Sequence, residues 1–120
     1  MRVISLDHVQ VAMPAHRETE ARAFYAGLLG MTEIEKPAHL AVRGGLWFAA
    51  GDRQLHLGVE AEFTPARKAH PALLVDDLAG VRAVLRAEGI EPVDDEPLEG
   101  YSRCYVNDPF GNRIELLQKT

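Results

Sequence analysis

Hydrophobic and polar residues alternate from Ser5 to Met13. Leu6, His8, Gln10 and Ala12 fall on one side and Asp7, Val9, Val11 and Met13 on the other, the period of a half-buried strand. Pro14 ends it. From Glu18 to Leu29 the period lengthens: Ala21, Phe24, Tyr25, Leu28 and Leu29 recur at helical spacing, and Gly30 stands where a helix C-terminus favours a left-handed residue. Three extended segments follow at residues 31–36, 40–50 and 54–60, divided by Pro37 and by the Gly51-Asp52 turn.

After Thr64-Pro65-Ala66-Arg67-Lys68 the pattern restarts. Residues 69–75 are strand-like, Asp76 or Asp77 can cap a helix, and Leu78, Val81, Val84 and Leu85 form its apolar stripe before Gly89. Further strands are expected at 91–94, 102–107 and 113–119, with the tight turn Asp108-Pro109-Phe110-Gly111-Asn112 between the last two. The element order therefore repeats with a period of about 60 residues. It predicts an α+β fold of two tandem βαβββ modules, about 1–62 and 63–120, within one domain, their strands forming a curved, half-open mixed sheet backed by helices.

Composition narrows the function. The chain has 120 residues, 47% of them hydrophobic and 26% charged, an ordinary globular balance with no room for a second independent fold. Thirteen Lys and Arg against eighteen Asp and Glu leave a formal charge of −5, which disfavours nucleic acid as a partner. No apolar run reaches the roughly 20 residues that span a bilayer, and the start MRVISLDH lacks a secretory apolar region, so a cytoplasmic protein is expected. The single cysteine, Cys104, reads as a small half-buried strand residue.

Chemistry concentrates at equivalent ends of the two repeats. His8 and His70 open the modules, and His56 and Glu115 lie in their last strands, each preceded by a Gly-polar-Arg turn; His70 follows His8 by 62 residues and Glu115 follows His56 by 59. Period-two alternation sets Leu55, Leu57 and Val59 opposite His56, Leu73 and Val75 opposite His70, and Ile114 and Leu116 opposite Glu115. The candidates then share a polar concavity with Gln10, Gln54 and Arg113. Imidazole and carboxylate together suit Fe(II), Ni(II), Zn(II), Mn(II) or Co(II), leaving positions open for substrate oxygens. Any one of these histidines alone reads as an incidental strand residue with a local hydrogen bond; four candidates in register point to a metal or catalytic pocket.

Three segments carry a resemblance: Leu6-Asp7-His8-Val9-Gln10-Val11, Phe24-Tyr25-Ala26-Gly27-Leu28-Leu29-Gly30-Met31, and Asn107-Asp108-Pro109-Phe110-Gly111-Asn112-Arg113-Ile114-Glu115-Leu116. They are similar to the vicinal oxygen chelate superfamily, which includes glyoxalase I, bleomycin-resistance proteins, fosfomycin-resistance transferases and extradiol dioxygenases. The resemblance implies paired βαβββ modules, a homodimer with shared active sites, and a divalent metal held by His8, His70 and Glu115. His56 takes the fourth position, as ligand or general base, where glyoxalase I has a glutamate. A metal-dependent small-molecule enzyme is implied, of lyase, isomerase, thiol transferase or dioxygenase type, with Glu115 and His56 in catalytic roles. The alternative is a non-catalytic drug- or metabolite-binding resistance protein of the bleomycin-resistance type.

Secondary features are open. Arg67 and Lys68 either draw an anionic substrate inward or are simply solvated. Of Trp47 and Phe48, adjacent in one strand, at most one faces a pocket. Arg103 and Tyr105 share a strand face and are candidate substrate contacts.

Overall fold

The alternation at residues 5–13 becomes a strand, β1 (His8–Met13), that buries Val11 and Met13 and keeps His8 and Gln10 at the surface. The computed structural model describes residues 1–120, and the chain divides into two compact units, residues 1–64 and 65–120. No helix is long and apolar enough to cross a membrane.

In the first unit, α1 (Glu18–Arg22) runs directly into a π-helical stretch, Ala23–Leu28. The wider turn shows in Leu29, whose N–H reaches back five residues to the Phe24 carbonyl at 3.0 Å. More residues per turn narrow the angle between neighbours, so Phe24 and Tyr25 are both buried, meeting edge to face at 4.9 Å. β2 (Thr32–Ile34), α2 (Ala38–Ala41), β3 (Leu46–Ala50) and β4 (Arg53–Val59) follow. The strands form one mixed sheet in the order β1-β4-β3-β2, with β1 parallel to β4 and the other pairs antiparallel.

The strand expected at 40–50 is only partly extended. Its first part is helical: Pro37 needs no amide donor at a helix start, its carbonyl accepts from Leu40 and Ala41, and Ala38, Leu40 and Ala41 are good helix formers. Only Leu46–Ala50 is extended, entered through Gly44 and Gly45 at positive φ.

The second unit contains β5 (Ala72–Leu74), α3 (Leu78–Ala87), β6 (Tyr101–Asn107) and β7 (Arg113–Lys119). Its sheet runs β5-β7-β6, with β5 parallel and β6 antiparallel to β7. Asp77 caps α3, its side chain accepting from the Gly80 N–H at 3.0 Å, and Leu78 and Leu85 turn inward. Two expectations change. β5 is shorter than 69–75, because Pro71 offers no ladder donor, so His70 stands just before the strand. Residues 91–94 do not form a strand: beside Pro92 only Val93 pairs, exchanging two 2.8 Å hydrogen bonds with Tyr105 as an isolated bridge. Both units are thus mixed α+β with a first strand lying parallel to the last.

At Gly45 (φ +82°) an added Cβ would sit 2.2 Å from the Leu57 carbonyl oxygen, whereas at Gly51 (φ +61°) it would meet nothing within 4 Å. Gly45→Ala is therefore expected to cost about 3 kcal/mol or more and Gly51→Ala only about 1 kcal/mol, read from urea unfolding. Equal losses would contradict the close approach of β3 to β4.

Candidate active site

The incoming chain of the second unit is laid against β7 by backbone and amide contacts. The buried Asn112 side chain accepts from the Ala66 N–H at 3.0 Å, the Arg113 N–H donates to the Ala66 carbonyl at 2.9 Å, and the Glu115 N–H donates to the Pro71 carbonyl at 3.0 Å. Asn112 is itself fixed by Asp108, whose carboxylate accepts from the Phe110 and Asn112 backbone and from the Asn112 side-chain amide. Two residues before β5, His70 consequently reaches Glu115, with Nε2 and Oε1 2.9 Å apart.

The His70 tautomer follows from its other nitrogen. Nδ1 donates to the Lys68 carbonyl at 2.8 Å, a group that only accepts, so in the neutral ring Nε2 carries a lone pair facing a carboxylate oxygen. A proton or a metal cation must bridge two such acceptors. The separation fits a cation: two donors each about 2.1 Å from one metal ion and cis to each other lie about 3 Å apart. Fixing one imidazole nitrogen on a backbone carbonyl is also the usual support of a ligating histidine.

Glu115 is 6% exposed and, besides facing His70, has two donors. It accepts from the Tyr105 hydroxyl at 3.0 Å on Oε1 and from the Arg103 guanidinium at 3.3 Å on Oε2. Burial pushes its carboxyl up, but the hydrogen bonds from His70, Tyr105 and Arg103 and the arginine's charge outweigh it, leaving the group below the ordinary 4.5. Arg103 is in turn anchored on the Glu96 carbonyl and donates to the Tyr105 hydroxyl at 3.0 Å. Arg113 lies 3.8 Å above the Tyr105 ring, and His70 meets the same ring edge-on at 5.2 Å.

In the first unit the parallel register sets His8 opposite Gln54 and Gln10 opposite His56. The imidazoles of His8 and His56 stack at 4.1 Å, and Trp47, opposite His56 on β3, stacks on the other side at 4.1 Å and 7°. Trp47 rather than the fully buried Phe48 is thus the polar-face residue of that pair. His8 Nδ1 lies 2.9 Å from the Asp7 carboxylate, which leaves Nε2 presented, and this hydrogen bond lowers the Asp7 carboxyl. His56 Nε2 donates to Gln54 Oε1 at 2.8 Å, leaving Nδ1. Burial first, then the nearby His8, lowers His56 from its ordinary 6.5.

Of the four nominated residues, the structure brings His8 to His56 within one unit and His70 to Glu115 within the other. No three His, Cys, Asp or Glu side chains gather in the chain as a cation site. Sequence reasoning left Arg103 and Tyr105 open; both touch Glu115. Their shared strand face was the available signal, since β6 lies antiparallel to β7 with Tyr105 opposite Glu115. The anchoring of Arg103 by Glu96 had no signal.

A sequence model of the Glyoxalase/Bleomycin resistance protein/Dioxygenase superfamily matches residues 5–116. A crystal structure of a protein from Bacillus anthracis assigned to the glyoxalase family is 47% identical, covering 100% of this chain and 98% of that one, with a TM-score of 0.93. The genomically encoded fosfomycin resistance protein FosX from Listeria monocytogenes is 15% identical, with 99% and 94% coverage and a TM-score of 0.74. An integron cassette protein from V. cholerae is 20% identical, with 100% and 98% coverage and a TM-score of 0.74. These last two share the fold. No curated protein matches the chain.

The lowered His56 imidazole has a pH consequence of definite sign. As pH falls, the unfolded chain protonates this ring before the folded one does. The stability from holding it neutral is complete above 6.5, is lost as pH falls below 6.5, and levels off once the folded ring is also charged. In metal-free protein, His56→Gln is expected to flatten the pH dependence of urea unfolding in that window, and an NMR titration of His56 should give a midpoint below 6.5. A midpoint at or above that value contradicts the assignment.

Proposed function

Because the chain belongs to the glyoxalase/bleomycin resistance protein/dioxygenase superfamily, we propose that it is a metal-dependent enzyme acting on a small molecule, of lyase, isomerase, thiol transferase or dioxygenase type. The observation that carries this reading is the His70 Nε2 to Glu115 Oε1 approach at 2.9 Å, with His70 Nδ1 already committed to a backbone carbonyl. On this reading His70 and Glu115 would hold the cation, with His8 and His56 as the further ligands. A divalent ion of Fe, Ni, Zn, Mn or Co supplies Lewis-acid stabilisation of oxyanion charge developing on substrate.

The chain's own groups divide the remaining work. His56, whose imidazole burial biases toward the unprotonated form, is available as a base, and when it is not a ligand it takes a substrate proton on Nδ1. Glu115 remains ionised beside its donors. Tyr105 and Arg103 fix the carboxylate and line the approach to it.

We place the protein in the cytoplasm and as a homodimer with shared active sites. Support for the dimer comes from Val3, Ile4, Leu6 and Val9, a run of apolar side chains that the chain leaves exposed near its start. A second reading is favoured by one observation: Tyr105 and Arg103 both donate to the Glu115 carboxylate, so it has protein partners of its own, as a non-catalytic drug- or metabolite-binding protein would require.

Elemental analysis after dialysis against Fe(II), Ni, Zn, Mn and Co decides between them. About one ion per site is expected, with uptake lost in His70→Ala and in Glu115→Gln. Protein that stays metal-free with all five, yet shows ligand-induced thermal shifts that persist in chelator and in a His8→Ala, Glu115→Ala double variant, would establish the binding reading instead.

A further inference from the structure

We infer that a cavity in the second unit is a carboxylate subsite, in which Arg67 and Arg113 grip the acid group of a small ligand with an apolar body. The inference deepens the proposed function and rests on its placing of the reacting site at His70 and Glu115. The cavity has a volume of about 650 Å³, within the range of small-molecule sites. Pro65, Val93, Val106 and the Tyr105 ring give it apolar surface.

Charge matching identifies the ligand class. Three acids line the cavity, but each faces a cation: Glu91 meets Arg86 at 3.2 Å, Asp94 meets Arg82 at 2.8 Å, and Asp95 meets Arg113 at 3.7 Å. Arg67, on the rim of the same cavity, has no acidic partner. With Arg82 and Arg86 behind the lining taking up Asp94 and Glu91, every acid of the cavity is matched and Arg67 is left over, which fits a monoanion.

Geometry narrows it to a planar anion. The contact of Arg113 with Asp95 is longer than a hydrogen bond, so the guanidinium keeps its N–H donors uncommitted, while its place 3.8 Å over the centre of the Tyr105 ring holds it against that face. A guanidinium fork with free donors suits the two oxygens of a carboxylate. Arg67 is the next residue after Ala66, whose carbonyl accepts the Arg113 N–H, so the two side chains spring from neighbouring points of the backbone. Tyr105 joins the cavity to the reacting pair, with its ring on the wall and its hydroxyl on Glu115. A ligand held by its acid group is thereby positioned one phenol ring from the carboxylate.

The test titrates the metal-free full chain, in chelator, with benzoate, benzamide, benzylammonium and phenylphosphonate, followed by amide NMR. Benzoate is expected to saturate and to shift the signals of Arg67, Tyr105 and Arg113. Benzamide and benzylammonium should bind at least about tenfold more weakly, the value of one charge-assisted hydrogen bond, and phenylphosphonate no more tightly than benzoate. Arg67→Ala and Arg113→Ala should each cost benzoate about tenfold, with partial recovery in Arg67→Lys. The subsite is overturned by absence of saturable benzoate binding, by benzamide binding equally well, by stronger binding of the phosphonate, or by an unaffected Arg67→Ala. Metal uptake of the arginine variants is measured in parallel and should match the unsubstituted chain. Failed benzoate binding with intact uptake removes only the subsite; benzoate binding without any uptake removes only the metal reading.

Discussion

Parallel pairing of the first strand with the last, β1 with β4 and β5 with β7, is the constraint on which each unit depends. Parallel neighbours need a crossover, and here the crossover is the rest of the unit: a helix and the intervening strands. Its chemical effect is to bring the start of a module beside its end. His8 lies opposite Gln54, one diagonal step from His56. Ala72 lies opposite Glu115, so continuing that register sets His70 opposite Arg113, again one diagonal step from the candidate ligand. The same offset in both units makes the pairings a consequence of topology rather than of two separate arrangements.

Short loops complete what the strands begin. Pro71 stops β5 early, and His70 would hang free if residues 65–71 were not tied to β7. The tie is polar and buried: Asn112 is 1% exposed and spends its carbonyl oxygen on Ala66 and its amide on Asp108. An unpaired amide there would be costly, so the Asp108–Asn112 turn and the segment before His70 are held as one piece. The turn segment that resembles the superfamily thus acts on the site through backbone position.

Much of this was legible in the chain. Period-two alternation placed Leu55, Leu57, Ile114 and Leu116 in the core, where they are 2% exposed or less, and separated them from His56 and Glu115. Strand β7 falls where the pattern put it, and Asp77 is the cap of the two aspartates the pattern offered, because a hairpin turn and an N-cap are local signals. Where the reading failed, the deciding energy was local but ambiguous, or not local at all. Residues 38–41 are apolar enough for a strand, yet alanine-rich behind a proline, and the helical turn won. At 91–94 the whole segment was expected as a strand, but Pro92 prevents a ladder and only Val93 pairs. The stacking of Trp47 on His56 depends on cross-strand register, which residue order alone does not fix.

The two units offer different chemistry from equivalent positions. In the first, two imidazoles stack beside an indole, and burial biases His56 toward the uncharged form; in-plane lone pairs on stacked rings point side by side, so His8, half-exposed at 44%, is the ring with freedom to turn. In the second, a carboxylate is divided between its oxygens. Arg103 takes Oε2, and Oε1 faces His70 and Tyr105. A carboxylate with one oxygen held by a guanidinium leaves the other as the oxygen that would be offered to a cation. Arg103 cannot drift from this duty, because the Glu96 carbonyl holds the opposite edge of its guanidinium. The loop after the Val93 bridge, which supplies no strand to the sheet, therefore acts on the site by fixing the arginine that decides how Glu115 is offered.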